Sequence, residues 1–308
     1  IHRYMAIPLA NDFYASQEHV TNKAYIASLT ACEEKTRYIC LIGHMSKKSD
    51  ENSLYTPYNL EKPLWVFVGK SVSKATGTKD EKATVSDVAL ILQFISSFLK
   101  DGNSSSSDIE RILSQNAKDT GLLDETGNDI FAGSFLYLRE IMRRDGWTSH
   151  DLFKDILDKV FLNKSGGQLN VAKIKGDDSE VMLRVGQEEM PFGLINVGDA
   201  AGLIKHLEND KEEEPSRLEN LNVLEAEFSD TFFEQVHLSS SPVTVLLGSK
   251  KFVEGWDCWR VSTLGLMHVG KSEGSQIIQL FGRGVRLKGY DWSLKRSGFA
   301  TPTSQPEY

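Results

Sequence analysis

No stretch of this 308-residue chain approaches the roughly 18 consecutive apolar residues that a membrane-spanning helix needs, so no membrane partner is expected. Cysteine is scarce as well. Cys32, Cys40 and Cys258 are odd in number and form no C-x-x-C pair, which argues against a disulfide framework and a zinc knuckle and points to a reducing, cytoplasmic setting. The seven histidines are scattered with no H-x-x-x-H or H-E-x-x-H spacing, so no dedicated metal site is expected. The opening "IHRYMAIPL" has neither an initiator methionine nor a signal-peptide pattern, and "TPTSQPEY" ends abruptly. The chain is therefore expected to be a piece of something longer.

What is present is ordinary globular material, 40% hydrophobic and 25% charged, enough for one large domain or two moderate ones. The net charge of −8 is unevenly spread: residues 250–297 carry nine lysines and arginines against four acids. A basic segment on an acidic body suits one face that meets phosphates, and it equally suits chance clustering on a solvated surface.

Apolar periodicity alternates between strand and helix. "LWVFVGK" (64–70) reads as a buried parallel strand, and "VSDVALILQFISSFLK" (85–100) as the helix packed on it, with Ser86 or Asp87 as cap. "DGNSSSSD" (101–108) reads as a flexible linker by composition. Helices are predicted over 108–116, 128–143 and 150–161, then a β-hairpin from "GGQLNVAKIKG" and "SEVMLRVG". "FGLINVGDAAGLIKHLE" returns to strand, turn and helix with Asp199 as N-cap. Beyond residue 221 the order is strand, helix ("SDTFFEQVHL"), strand (243–249), strand (260–269) and helix (275–286). Such alternation implies an α/β fold with a parallel sheet, whose ligands gather at the carboxyl ends of the strands.

Three strings there could carry chemistry. "GLMHVGKS" (265–272) fits the phosphate-loop pattern G-x-x-x-x-G-K-[ST], whose glycines let backbone N–H groups cradle phosphates. Its first letters also read as strand, which leaves Gly270 to Ser272 as a turn. In "KKFVEGWDCW", Gly255 permits close backbone approach, and Asp257 offers acceptors to a ribose hydroxyl, a cation or an arginine. In "SQIIQLFGRGVRLKG", Gln279, Arg283 and Arg286 share one helical stripe, while Ile278, Phe281 and Val285 share another. Two arginines and a glutamine on one stripe suit a polyphosphate. Gly282 and Gly284 each weaken a helix by about 1 kcal/mol, a cost that makes sense where something must come close. A surface helix with basic residues favouring its own macrodipole is the competing reading.

"QLFGRGVR" resembles motif VI of superfamily 2 helicases, Q-x-x-G-R-x-x-R, and "KFVEGWD" resembles their motif V, in the same order along the chain. The run from 248 to 289 is similar to the Res subunits of type III restriction enzymes and to related DEAD/DEAH-type helicases of phage defence. "EKPLWVFVGKSVS" resembles the strand that opens their second RecA-like domain. The resemblance implies a RecA-like, phosphate-loop-NTPase-like α/β domain with a helical and β-hairpin insertion. Residues 1–60 would join from a first RecA-like domain, 61–100 would open the second, 101–190 would be the insertion, 191–297 would complete the domain and 298–308 would be a tail. ATP and Mg2+ would be held mainly by the first domain. Arg286 would be the arginine finger with Arg283 beside it, Gln279 and Gly282 would face the nucleotide, and Gly255 and Asp257 would couple nucleotide to nucleic acid. Thr263 is a candidate backbone-phosphate contact, with a plain strand position as the alternative. Double-stranded DNA and a DNA methyltransferase (modification) subunit are the implied partners. The chain departs from the family in having no D-E-x-H motif, and "FVGKS" (67–71) has leucine at position 64 where a phosphate loop needs glycine. Two other readings stay open, a stand-alone phosphate-loop protein using Gly265 to Ser272 and a catalytically idle interaction module.

Overall fold

Among the described residues eight strands form one mixed, mostly parallel sheet in the order β1-β8-β2-β7-β5-β4-β3-β6. The computed structural model describes residues 5–9, 25–34, 61–68, 87–114, 126–129, 131, 134–175, 179–213, 215–226, 232–248 and 258–267. The strands are β1 (Met5–Leu9), β2 (Leu64–Val68), β3 (Leu169–Ile174), β4 (Glu180–Val185), β5 (Gly193–Asn196), β6 (Leu221–Ala226), β7 (Val245–Gly248) and β8 (Val261–Met267). The helices are α1 (25–34), α2 (Asp87–Lys100), α3 (Gly102–Leu113), α4 (Leu136–Asp145), α5 (Ser149–Lys159) and α6 (Ala200–Glu213). Among the described strands β4 alone runs against the rest, antiparallel to both β3 and β5. The expected hairpin is therefore present, and it continues the main sheet on both sides, because β3 also pairs with β6. Sheet and core also take in β1, which pairs with β8, and α1, both ahead of residue 61.

The "LWVFV" run is buried throughout because both faces of β2 are covered. Trp65 and Phe67 enter the larger core with α1 to α6, whereas Leu64, Val66 and Val68 enter a smaller core on the other face with Leu246, Leu194 and Val236. The described crossovers sort by direction. Moves toward the β6 edge, from β1 through α1 to β2 and from β5 through α6 to β6, carry their helices over the larger core. The return from β6 to β7 carries residues 232–240 over the smaller one, as a single handedness requires.

Three sequence expectations are corrected. The serine run at 101–108 is not a linker but opens α3. Asp101 caps it by accepting from the backbone N–H groups of Asn103 and Ser104, each at 3.1 Å. Ser105 and Ser106 are buried, and their hydroxyls donate to the carbonyls of Phe98 and Gly102. Composition signals solvation, but small side chains that satisfy themselves locally let α3 lie close to α5. A Cβ on Gly102 would stand 2.9 Å from the Phe153 ring. The helix expected over 128–143 begins only at Leu136, because Phe135 holds a left-handed backbone (φ 58) and an Asp129 carboxylate turn, bonded to Phe131 N–H at 2.9 Å, precedes it. Its N-terminus is capped from a distance, with Tyr137 N–H donating to Glu34 of α1 at 3.0 Å. Finally, the described part of "SDTFFEQVHL" is a chain of turns rather than a helix, closed by bonds from Gln235 N–H to Phe232 O, Val236 N–H to Phe233 O and Leu238 N–H to Gln235 O.

The amino ends of the strands are tied by two cations. Arg260, 1% exposed, donates to the carbonyls of Lys62, Val236, Leu238 and Val243. Burial lowers its pKa from the ordinary arginine value. The Lys62 ammonium donates to the carbonyls of Ser241 and Pro242. One guanidinium thus satisfies the loops entering β2 and β7 at once.

Candidate functional site

At its carboxyl ends the sheet has a topological switch. The chain leaves β2 and β5 toward the β6 edge, whereas it leaves β7, which lies between them, toward β8. Ligands of open α/β sheets bind in the crevice outside the carboxyl ends where neighbouring strands diverge in this way.

One row of residues crosses that edge. Val68 ends β2, Gly248 ends β7 and Asn196 ends β5; Gly248 is in register with both, and Asn196 stands opposite Glu180 of β4. All share the smaller-core face, as the alternation from Val66, Leu246, Leu194 and Met182 requires. Gly248 leaves the row without a side chain at its centre. Glu180 is 1% exposed, and its carboxylate accepts from the N–H groups of Phe232 and Phe233 at 3.0 and 3.3 Å, capping the turns that descend this face. Asn196 is 4% exposed, and its Oδ1 has no hydrogen-bond partner. Such a group costs about 1 to 3 kcal/mol when left unpaired. Just beyond it Gly198 and Asp199 are exposed, and a Cβ placed on Gly198 would meet nothing within 4 Å. Asp199 caps α6 as expected, accepting from Gly202 N–H at 2.8 Å.

Gly255, Asp257, Gln279, Gly282, Arg283 and Arg286 lie outside the described residues. What is described is the pair of strands on either side of residues 251–257, β7 ending at Gly248 and β8 opening after Cys258 and Arg260. Thr263 lies in β8 in register with Trp65 and Met5. It is 1% exposed, with no partner for Oγ1, so as it stands its hydroxyl faces protein rather than solvent. The β8 register slips between Val261 and Thr263, where Ser262 is the extra residue and donates to Leu64 O at 3.2 Å.

The first three letters of "GLMHVGKS" are strand, since Gly265, Leu266 and Met267 belong to β8. Gly265 has a steric reason. It is in register with Phe67, and a Cβ there would lie 2.2 Å from that ring. The glycine makes room for an aromatic ring rather than for a phosphate. Lys271 and Ser272 lie outside the described residues.

Sequence reasoning missed Asn196, Glu180 and Arg260. Each is a polar residue at the end or start of an apolar run, where a strand boundary makes it look like ordinary surface. Only the register shows that two of them stand side by side beneath the switch. No family model matches the chain, and neither a curated protein nor a solved structure matches it.

Proposed function

We propose that this chain is the second RecA-like domain of an ATP-dependent DNA translocase of the type III restriction Res-subunit kind. The observation that carries the reading is the switch at β7. The string that resembles motif V begins three residues after Gly248, which ends β7 at the point of the sheet where α/β domains hold their ligands. The parallel run β8-β2-β7-β5, in which the strand opening the domain lies between its last two strands, is compatible with a RecA-like core.

In this reading a first RecA-like domain supplies the phosphate loop and the acidic residues for Mg2+. This chain supplies Arg286 and Arg283 to the phosphates and Gln279 and Gly282 beside them. Gly255 and Asp257 link the nucleotide site to double-stranded DNA, and a modification methyltransferase is the partner subunit. A bound nucleotide provides the phosphoanhydride to be cleaved. The arginines neutralise charge that develops on its terminal phosphoryl group.

The test is Arg286→Ala in the complete two-domain enzyme. DNA-stimulated ATP hydrolysis is expected to fall by about 10³-fold or more, the range for an arginine finger. Undiminished turnover would sink the assignment. The competing phosphate-loop reading predicts that this chain alone binds ATP and magnesium through Lys271. The strand position of Gly265 weighs against it. Titration calorimetry on the chain and on Lys271→Ala separates the two.

A further inference from the structure

We infer that Asn196 is a further nucleotide-reading residue, a specificity determinant whose carboxamide takes a ribose hydroxyl. The inference rests on the reading above and adds a residue that no motif contains. Asn196 is nine-tenths buried with its Oδ1 unpaired, it ends β5 beside Gly248 at the switch, and the chain immediately beyond it is open at Gly198. A buried amide left unpaired at such a place is a standing cost to the fold, and binding a ligand removes it.

The neighbours decide the chemistry of the partner. Glu180 stands directly opposite Asn196, and its carboxylate is already committed to two backbone N–H groups. Asp199, three residues on, adds an exposed carboxylate, which accepts from Gly202 N–H. A phosphate oxygen brought here would meet two acids, so the partner of Asn196 is a neutral group. The unpaired atom is an acceptor and therefore requires a donor. On a nucleotide the neutral donors suited to a short polar side chain at a strand end are the sugar hydroxyls, which acidic and amide side chains take at carboxyl edges of such sheets. In that reading the arginines take the phosphates and Asn196 takes the sugar.

The experiment measures KM for ATP, 2′-deoxy-ATP and 3′-deoxy-ATP in the complete two-domain enzyme with DNA, for the natural chain and for Asn196→Leu and Asn196→Ala. The natural enzyme is expected to prefer ATP over one deoxy analogue by about tenfold, the loss that follows when a buried polar group is left unpaired. In both variants that preference falls to about twofold or less, mainly because KM for ATP rises. Thermal unfolding of the ligand-free chain supplies a second readout. Neither variant is expected to melt lower, because each removes an unsatisfied group rather than a bond. A preference that survives both substitutions overturns the inference, as does a natural enzyme indifferent to both hydroxyls or a marked fall in melting temperature. A natural enzyme that hydrolyses no ATP brings down the translocase reading itself, and the Asn196 assignment with it.

Discussion

The two ends of the sheet are built on opposite plans. At the amino end the polar side chains of Arg260, Lys62 and Thr244 are spent on backbone carbonyls, and strand entries are tied to each other by bonds such as Leu64 N–H to Arg260 O and Trp65 N–H to Thr244 O, both 2.8 Å. At the carboxyl end Gly248 has no side chain to spend, the Oδ1 of Asn196 is unpaired, and Gly198 and Asp199 face open space. Strands held fast at one end leave the other free to carry groups whose partners are not part of the chain. In the proposed reading this asymmetry separates stability from recognition within one layer.

Substitutions can break that contrast, and the largest effect belongs to the amino end. Arg260→Met fills similar volume but leaves several carbonyls without their donor, and is expected to cost about 3 kcal/mol or more in urea unfolding. Arg260→Lys should recover only part, since one ammonium cannot reproduce a planar fork of donors. A cost below about 1 kcal/mol for the methionine variant would show that the clamp is dispensable. Next comes Gly265→Val, expected to cost about 1 to 3 kcal/mol through collision with the Phe67 ring. Phe67→Leu in the same chain should make the pair less costly than the sum of its parts. If Gly265→Val is silent in folding but abolishes nucleotide binding, the phosphate-loop reading revives.

The smallest effect lies away from both ends, in the capping box of α5. Thr148 Oγ1 accepts from Asp151 N–H at 3.2 Å, and the Asp151 carboxylate accepts from Thr148 N–H at 2.9 Å and from its hydroxyl at 2.7 Å. The hydroxyl bond first, then the backbone bond, hold the Asp151 pKa below its ordinary value. A depressed folded-state pKa gives stability that is present above the unfolded carboxylate range and is lost as pH falls through the lower folded value. Thr148→Ala should therefore cost about 1 kcal/mol at neutral pH and flatten the acid side of the stability profile. An unchanged acid limb would show that this carboxylate contributes nothing.

Much of the frame was legible in the letters. The unbroken apolar run at 64–68 and the helical spacing of Val88, Ile91, Leu92 and Ile95 announced β2 and α2 because burial on both faces, or on one stripe, leaves a periodicity that chance does not. Asp199 announced the start of α6 through its capping chemistry. Two of the misses share a cause. Glu34 caps α4 from 103 residues away, and Glu180 caps the 232–240 turns from 52 residues away. No local window contains such partners. The serines of α3 misled because their hydroxyls are satisfied by nearby carbonyls, that of Ser105 by Phe98 of α2 and that of Ser106 by Gly102 of α3, so a solvated composition conceals a packed one. Asn196 could not be told from a loop residue until its strand register was known.

The interior position of β2 has a consequence for how the chain acquires its structure. Its flanking strands, β7 and β8, are made long after it, as the bonds between Lys62 and Ser241 and between Arg260 and Lys62, spanning 179 and 198 residues, record. The β3-β4-β5 meander can close on itself early, through short connections. At about 5 to 20 residues per second, a nascent chain carries "LWVFV" for roughly 10 to 40 s before either neighbour exists. During synthesis a strand that is buried throughout in the finished domain is thus an unpaired apolar segment, dependent on α2 or a chaperone for cover.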